Sequence, residues 1–261
     1  MKISENPDSL PERSPEHGPE RSEDHAPAPK PSPVAPWWHT CLLILLFAAV
    51  SFAGALRSKS MSLAHHHLPQ YLSTLAFEWI IAGIAWWGLR LRRTPIAKIV
   101  GERRRGFIGW RDDILAAAIF WIMALIVLAA IGSLLRLTHV ATAQKAIASL
   151  APQSLSEIVL WIVLSISAGI CEEFIFRGYM LQQFTSLTGR LWPAVLISSL
   201  LFGVSHGYEG IGGIIAITAY GALFCVLAIK RNSLRPGMIA HAWHDVFSGI
   251  MLALVQHLHL M

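Results

Sequence analysis

The sequence is short of charge. Only 14% of its 261 residues are Asp, Glu, Lys or Arg, against about 25% in an ordinary soluble domain. That shortage excludes a typical water-soluble globule. With 54% apolar residues gathered into long runs, the chain falls among multi-pass membrane proteins. Cysteine is scarce as well. Cys41, Cys171 and Cys225 each lie in an apolar stretch, which excludes a disulfide framework and a CxxC metal site and leaves three small hydrophobes. No HExxH is present, so a zinc site carried by a single helix is excluded. No apolar run stands near the N-terminus; the first begins at about residue 37, too far in for a signal peptide. The net charge of +5 is spread over short loops between apolar runs. It therefore reads as membrane topology rather than as a nucleic-acid surface.

What is present is a series of apolar segments. Residues 1–36 are rich in Pro, Glu, Ser and His and are expected to be a disordered tail, because they bury too little surface to offset their ordering entropy. The apolar runs predict an all-α polytopic transmembrane helical bundle of about seven spans, with six or eight if one is split or re-entrant. They cover residues 37–56, 71–89, 114–135, 154–185, 192–207, 211–229 and 237–256. The expected organisation is a tail, then N-terminal membrane helices with a basic loop over 37–110, then a core over 111–256. Trp37 and Trp38 suit an interfacial anchor. His65, His66 and His67 cannot all face one helical site and are read as a solvated loop. Arg90, Arg92, Arg93, Lys98, Arg103, Arg104, Arg105 and Arg111 make one loop strongly basic, hence cytoplasmic by the positive-inside rule. Ser154 is the expected N-cap of the fourth segment, with Glu157 at N3.

Several polar groups are out of place in these apolar segments, where a charge costs about 3 kcal/mol or more. Glu78 is read as a structural carboxylate needing a polar neighbour. Glu172, Glu173 and Arg177 lie within two turns of the fourth segment. Phe202 and His206 stand four apart in the fifth, and His241 and Asp245 four apart in the seventh. Glu173 and Arg177 have the favourable order for an i,i+4 ion pair, which leaves Glu172 as the free base. Gly203 and Gly207 would admit a neighbouring helix close to His206. At about 1.5 Å per residue, Glu172 and His206 both sit roughly 20 Å deep, but His241 only about 8 Å. The difference requires either that the 231–237 connection dips into the protein or that the seventh segment starts deeper than its apolar run. A carboxylate, two histidines and a second carboxyl group in a partly dry cavity suggest hydrolysis. Cys171 is a weak rival nucleophile, because an apolar neighbourhood keeps a thiol inert.

The ordered triple Glu172-Glu173-x-x-x-Arg177, Phe202-x-x-x-His206 and His241-x-x-x-Asp245 resembles the CPBP family. These are the CAAX prenyl endopeptidase and bacteriocin-processing membrane proteins, also called Abi. The similarity covers about residues 110–256. The resemblance implies an intramembrane endopeptidase that cuts a membrane-associated or lipidated peptide or protein at the bilayer, with no nucleic-acid partner. By matching position, Glu172 activates water with help from His206. His241 and Asp245 stabilise the tetrahedral intermediate, and Glu173, Arg177 and Phe202 support the site. The third motif ends in Asp245 where many members carry Asn, and an ionised Asp cannot donate to an oxyanion. The cofactor stays open between a divalent metal such as zinc on Glu172, His206 and His241, the metalloprotease description, and metal-free water activated by Glu172. A non-catalytic immunity or regulatory protein of the same family is the alternative function. A transporter is disfavoured, because no inverted half-repeats with broken helices are visible. The expected location is a bacterial inner membrane.

Overall fold

Apolar backbone in a bilayer must satisfy its own N–H and C=O groups, and a chain of apolar runs therefore folds as helices. The computed structural model describes residues 32–58, 67–101, 106–140 and 147–258, with the side chains of 54–58 left out. Among these residues there is helix and no strand. We number the helices α1 (Trp37–Ser58), α2 (Leu68–Leu91), α3 (Ile96–Val100), α4 (Gly106–Leu137), α5 (Leu155–Glu172), α6 (Leu181–Thr188), α7 (Leu191–Ser205), α8 (Gly210–Arg231) and α9 (Arg235–His257). A π-helical segment, Glu173–Met180, joins α5 to α6, and a single 3₁₀ turn, Gly207–Glu209, joins α7 to α8. Five stretches are long and apolar enough to cross a membrane: Leu68–Leu91, Gly106–Leu137, Leu155–Thr188, Gly207–Arg231 and Arg235–His257. Trp37–Ala53 and Leu191–Ser205 are shorter apolar helices. Each expected span thus has its helix.

The helix running from α5 through the π segment into α6 is the centre of the bundle. It has 34 residues, and 50% of its most apolar window is buried, against 17% for α4 and for α9. At about 1.5 Å per residue it is roughly 51 Å long, more than the hydrocarbon core of about 30 Å. Ser154 caps it as expected, accepting the Glu157 N–H at 3.3 Å. The Glu157 carboxylate reaches further than a capping box requires. It accepts N–H groups from Gln153 and from His67, both at 2.8 Å, and faces the His67 ring at 3.3 Å. His67 is accordingly buried rather than part of a solvated loop. His65 and His66 lie outside the described residues.

Four further expectations are corrected or sharpened by packing. The tail expected over 1–36 falls mostly outside the described residues, but Val34 and Ala35 are buried. Their N–H groups donate to Gln183 Oε1 at 2.9 and 3.1 Å, because Gln183 is buried in α6 and needs partners. Residues on both sides of position 110 share one apolar core that joins α1 and α2 to the π segment and α7. The basic loop contains α3, whose Ile99 is buried. Of the two glycines near His206, only Gly203 is a close-approach site; a Cβ there would stand 2.7 Å from Ile214 O of α8, whereas Gly207 has nothing within 4 Å.

The depth mismatch of His241 is resolved by the chain between α8 and α9. Ser233, Leu234, Pro236 and Gly237 are all buried. Leu234 donates its N–H to Val100 O at 2.9 Å, and Arg235 Nη2 donates to Gly101 O at 3.2 Å. This connection runs beneath α3, and α9 therefore starts inside the protein. His241 reaches the level of Glu172 as a result.

Candidate active site

Glu173 is fully buried, which is tolerable for a carboxylate only if it is paired. Arg177 supplies the pair, its Nη1 donating to Glu173 Oε1 at 2.8 Å. A buried ion pair offsets its desolvation only with further partners. Arg177 Nη2 donates to Gly221 O at 3.3 Å, and the guanidinium carbon stands 4.2 Å from the centre of the Phe202 ring and 4.8 Å from that of Phe224. Glu173 Oε1 also faces His241 Nδ1 at 3.0 Å. A carboxylate only accepts, and the Nδ1 proton is thereby placed on His241. Glu173 Oε2 has no hydrogen-bond partner and lies against Gly237, where a Cβ would come within 2.9 Å of it.

With Nδ1 committed, His241 turns Nε2 toward the other two acids. Glu172 Oε2 lies 3.6 Å from it and Asp245 Oδ2 3.7 Å. Both are charge contacts longer than hydrogen bonds. Glu172 Oε2 has no hydrogen-bond partner, in keeping with its expected place as the free carboxylate. The His241 ring stacks on Phe224, centroids 5.1 Å apart. It meets Phe202 nearly at right angles, 6.0 Å away.

His206 ends α7. Its Nδ1 faces Phe202 O at 2.9 Å and Ser205 Oγ at 3.2 Å. The carbonyl accepts the Nδ1 proton, which in the neutral ring leaves Nε2 as the acceptor. The ring packs edge-on against Phe202, centroids 4.9 Å apart. Glu172, Glu173, Arg177, His241 and Asp245 therefore meet directly. His206 joins them through the Phe202 ring, which it and His241 both pack against.

The set Glu172, His206 and His241, expected to hold zinc if a metal is used, does not close into a ligand cage. Among the described residues no group of three or more His, Cys, Asp or Glu side chains is placed to hold a metal ion.

Other groups at the site were not foreseen. Ser167 Oγ donates to Glu78 Oε2 at 2.6 Å. The lone carboxylate of α2 thus finds its polar neighbour on α5, five residues before Glu172. His244 lies against Tyr220, centroids 4.8 Å apart. Neither His244 Nδ1 nor the Tyr220 hydroxyl has a hydrogen-bond partner. Their signal in the sequence was only that each is polar within an apolar run. Cys171 is buried beside Ser167, Sγ to Oγ 4.0 Å.

Comparison with known proteins gives one match. A family model described as type II CAAX prenyl endopeptidase Rce1-like matches residues 154–247. This stretch runs from the N-cap of α5 to two residues past Asp245 and contains every group just described except Glu78. No curated protein and no solved structure matches the chain.

Proposed function

We propose that this chain, whose residues 154–247 match the type II CAAX prenyl endopeptidase Rce1-like family, is an intramembrane endopeptidase acting on a membrane-associated or lipidated peptide. The observation that carries this reading is the meeting of Glu172, Glu173, His241 and Asp245 around one imidazole. A purely structural pair would need only Glu173 and Arg177. Glu172, with no hydrogen-bond partner on Oε2, is the base that takes a proton from water. The resulting hydroxide attacks the scissile carbonyl carbon. His206, with its Nδ1 proton held by Phe202 O, offers Nε2 to the same water. His241, donating Nδ1–H to Glu173 and carrying a second proton on Nε2 beside the Glu172 and Asp245 carboxylates, donates that Nε2–H to the oxyanion as the carbonyl becomes tetrahedral. Asp245 acts through His241, which removes the difficulty that an ionised Asp cannot itself donate. The C–N bond then breaks, and the proton carried by Glu172 passes to the leaving amine.

In this proposal Glu172 activates the water directly, without a resident metal. The test is cleavage of a lipidated peptide by the purified protein in proteoliposomes. Glu172→Gln is expected to lower the rate by about 10²–10⁴-fold, the usual worth of a general base, with the helical spectrum unchanged. Cleavage is expected to persist in chelator, and purified protein to carry no stoichiometric zinc. Wild-type rates in Glu172→Gln would sink the proposal. A zinc ion lost in His206→Ala would replace the metal-free route.

A further inference from the structure

A long groove runs between α4, α5 and α9, with a volume of about 870 Å³. That falls in the range of small-molecule sites, roughly 300–1,000 Å³. Its walls are apolar: Ile166 and Ile170 of α5, Trp121 of α4, and Met238, Val246 and Ile250 of α9 among them. Among the described residues, the single charged one lining it is Arg235, at the start of α9, and no acidic one does.

The groove has the dimensions and polarity of one kind of molecule. From Arg235 to Ile250 is fifteen residues of helix, about 22 Å at 1.5 Å per residue. One leaflet of a hydrocarbon core is about 15 Å deep, and the groove accommodates an acyl chain over that whole depth. The cation stands at one end only. Arg235 is half-buried and its Nη2 is held by Gly101 O, while among the described residues no carboxylate pairs with it. The same end carries exposed Lys98 and Lys230 and belongs to the basic, cytoplasmic side by the positive-inside rule, where anionic lipid is concentrated. We infer that this groove binds a membrane phospholipid with an anionic headgroup, its phosphate on Arg235 and an acyl chain along α9. The site lies outside the acid and histidine cluster but shares its walls: Ile170 is two residues from Glu172, and Ala242, also in the groove, follows His241. A bound chain braces the face of α9 opposite the one that presents His241 to Glu173.

The experiment uses the full chain in neutral detergent and titrates palmitoyl-oleoyl phosphatidylglycerol, the matching phosphatidylcholine, and inorganic phosphate. Thermal unfolding and native mass spectrometry are the readouts. Phosphatidylglycerol is expected to be retained by the protein and to raise its unfolding temperature more than phosphatidylcholine does. Arg235→Gln should weaken that binding about fivefold, the worth of one basic residue at a lipid surface, and Arg235→Lys should restore part of it. Ile166→Trp, at a half-exposed position of the groove wall, should abolish retention of the acyl chain while leaving the fold intact. Equal binding of the two lipids, or binding that survives both Arg235→Gln and Ile166→Trp, overturns the inference. So does a full thermal shift from inorganic phosphate, which would make Arg235 a plain anion site, and so does displacement of the shift by a lipidated peptide alone.

Discussion

At the residue scale, the site depends on one oxygen atom. Glu173 Oε1 receives Arg177 and His241 together, and this fixes which nitrogen of His241 faces Glu172. Breaking a buried pair by removing one partner costs about 3–5 kcal/mol, since the other charge is left stranded. A subtler probe is Gly237. Its missing Cβ leaves the space that Glu173 Oε2 occupies, and Gly237→Ala brings a methyl group to 2.9 Å from that oxygen. The expected cost is about 1–3 kcal/mol, as for other overpacked sites. It should be read as a lower unfolding temperature together with a fall in cleavage, because the push is transmitted to His241. An unchanged rate would mean that Glu173 does not set the position of His241. The pairing of Glu173 with Arg177 was legible from the i,i+4 spacing, and with it that Glu172 is left out of that pair. The bond from Glu173 to His241 was not, because it joins helices 68 residues apart and spacing along one helix says nothing about a second.

At the scale of elements, the π segment is tied down from two sides. Ser198 of α7 donates to Phe176 O at 2.7 Å, one of the carbonyls displaced from regular α bonding. From α1, His39 Nδ1 and Thr40 Oγ1 both meet the Tyr179 hydroxyl, at 2.8 and 3.0 Å. All three residues are buried. Tyr179→Phe leaves two buried polar groups short of a partner, for a loss of about 1–3 kcal/mol, measurable as earlier thermal unfolding in detergent. No shift would show α1 to be held by apolar contact alone. The existence of seven apolar helices was readable from composition, since a membrane dictates long runs. The π segment was not, because its widened turn answers to partners on α1 and α7 rather than to its own residues. The start of α9 was legible, since Pro236 and Gly237 mark a helix start; what buries it was not, because its partners lie on α3, far away in the chain.

At the scale of the whole molecule, the loop holding α3 and the connection before α9 lie at one end of the bundle, joined by Val100 and Leu234. Arg231 and Asp113 approach at the same end, 3.7 Å apart. Single cysteines at Lys98 and Arg231 in a Cys41→Ser background should therefore label from the same side of the membrane with an impermeant maleimide. A cysteine at Ser156, near the other end of α5, should label only from the opposite side. Labelling of all three from one side would overturn the bundle. The eight residues of the π segment have a consequence at this scale too. A ladder of i→i+5 bonds houses a residue that an i→i+4 ladder would not need. The helix from α5 to α6 is in effect one residue too long. Shortening it by one would make it more regular, yet would turn everything beyond the cut by about 100°. Gln183 would then swing off Val34 and Ala35, Tyr179 would leave α1, and Arg177 would lose Glu173. The spare residue acts as the setting of a dial: it aligns the N-terminal anchor and the acid cluster on one helix, and an internal deletion of a single codon would put both out of phase at once.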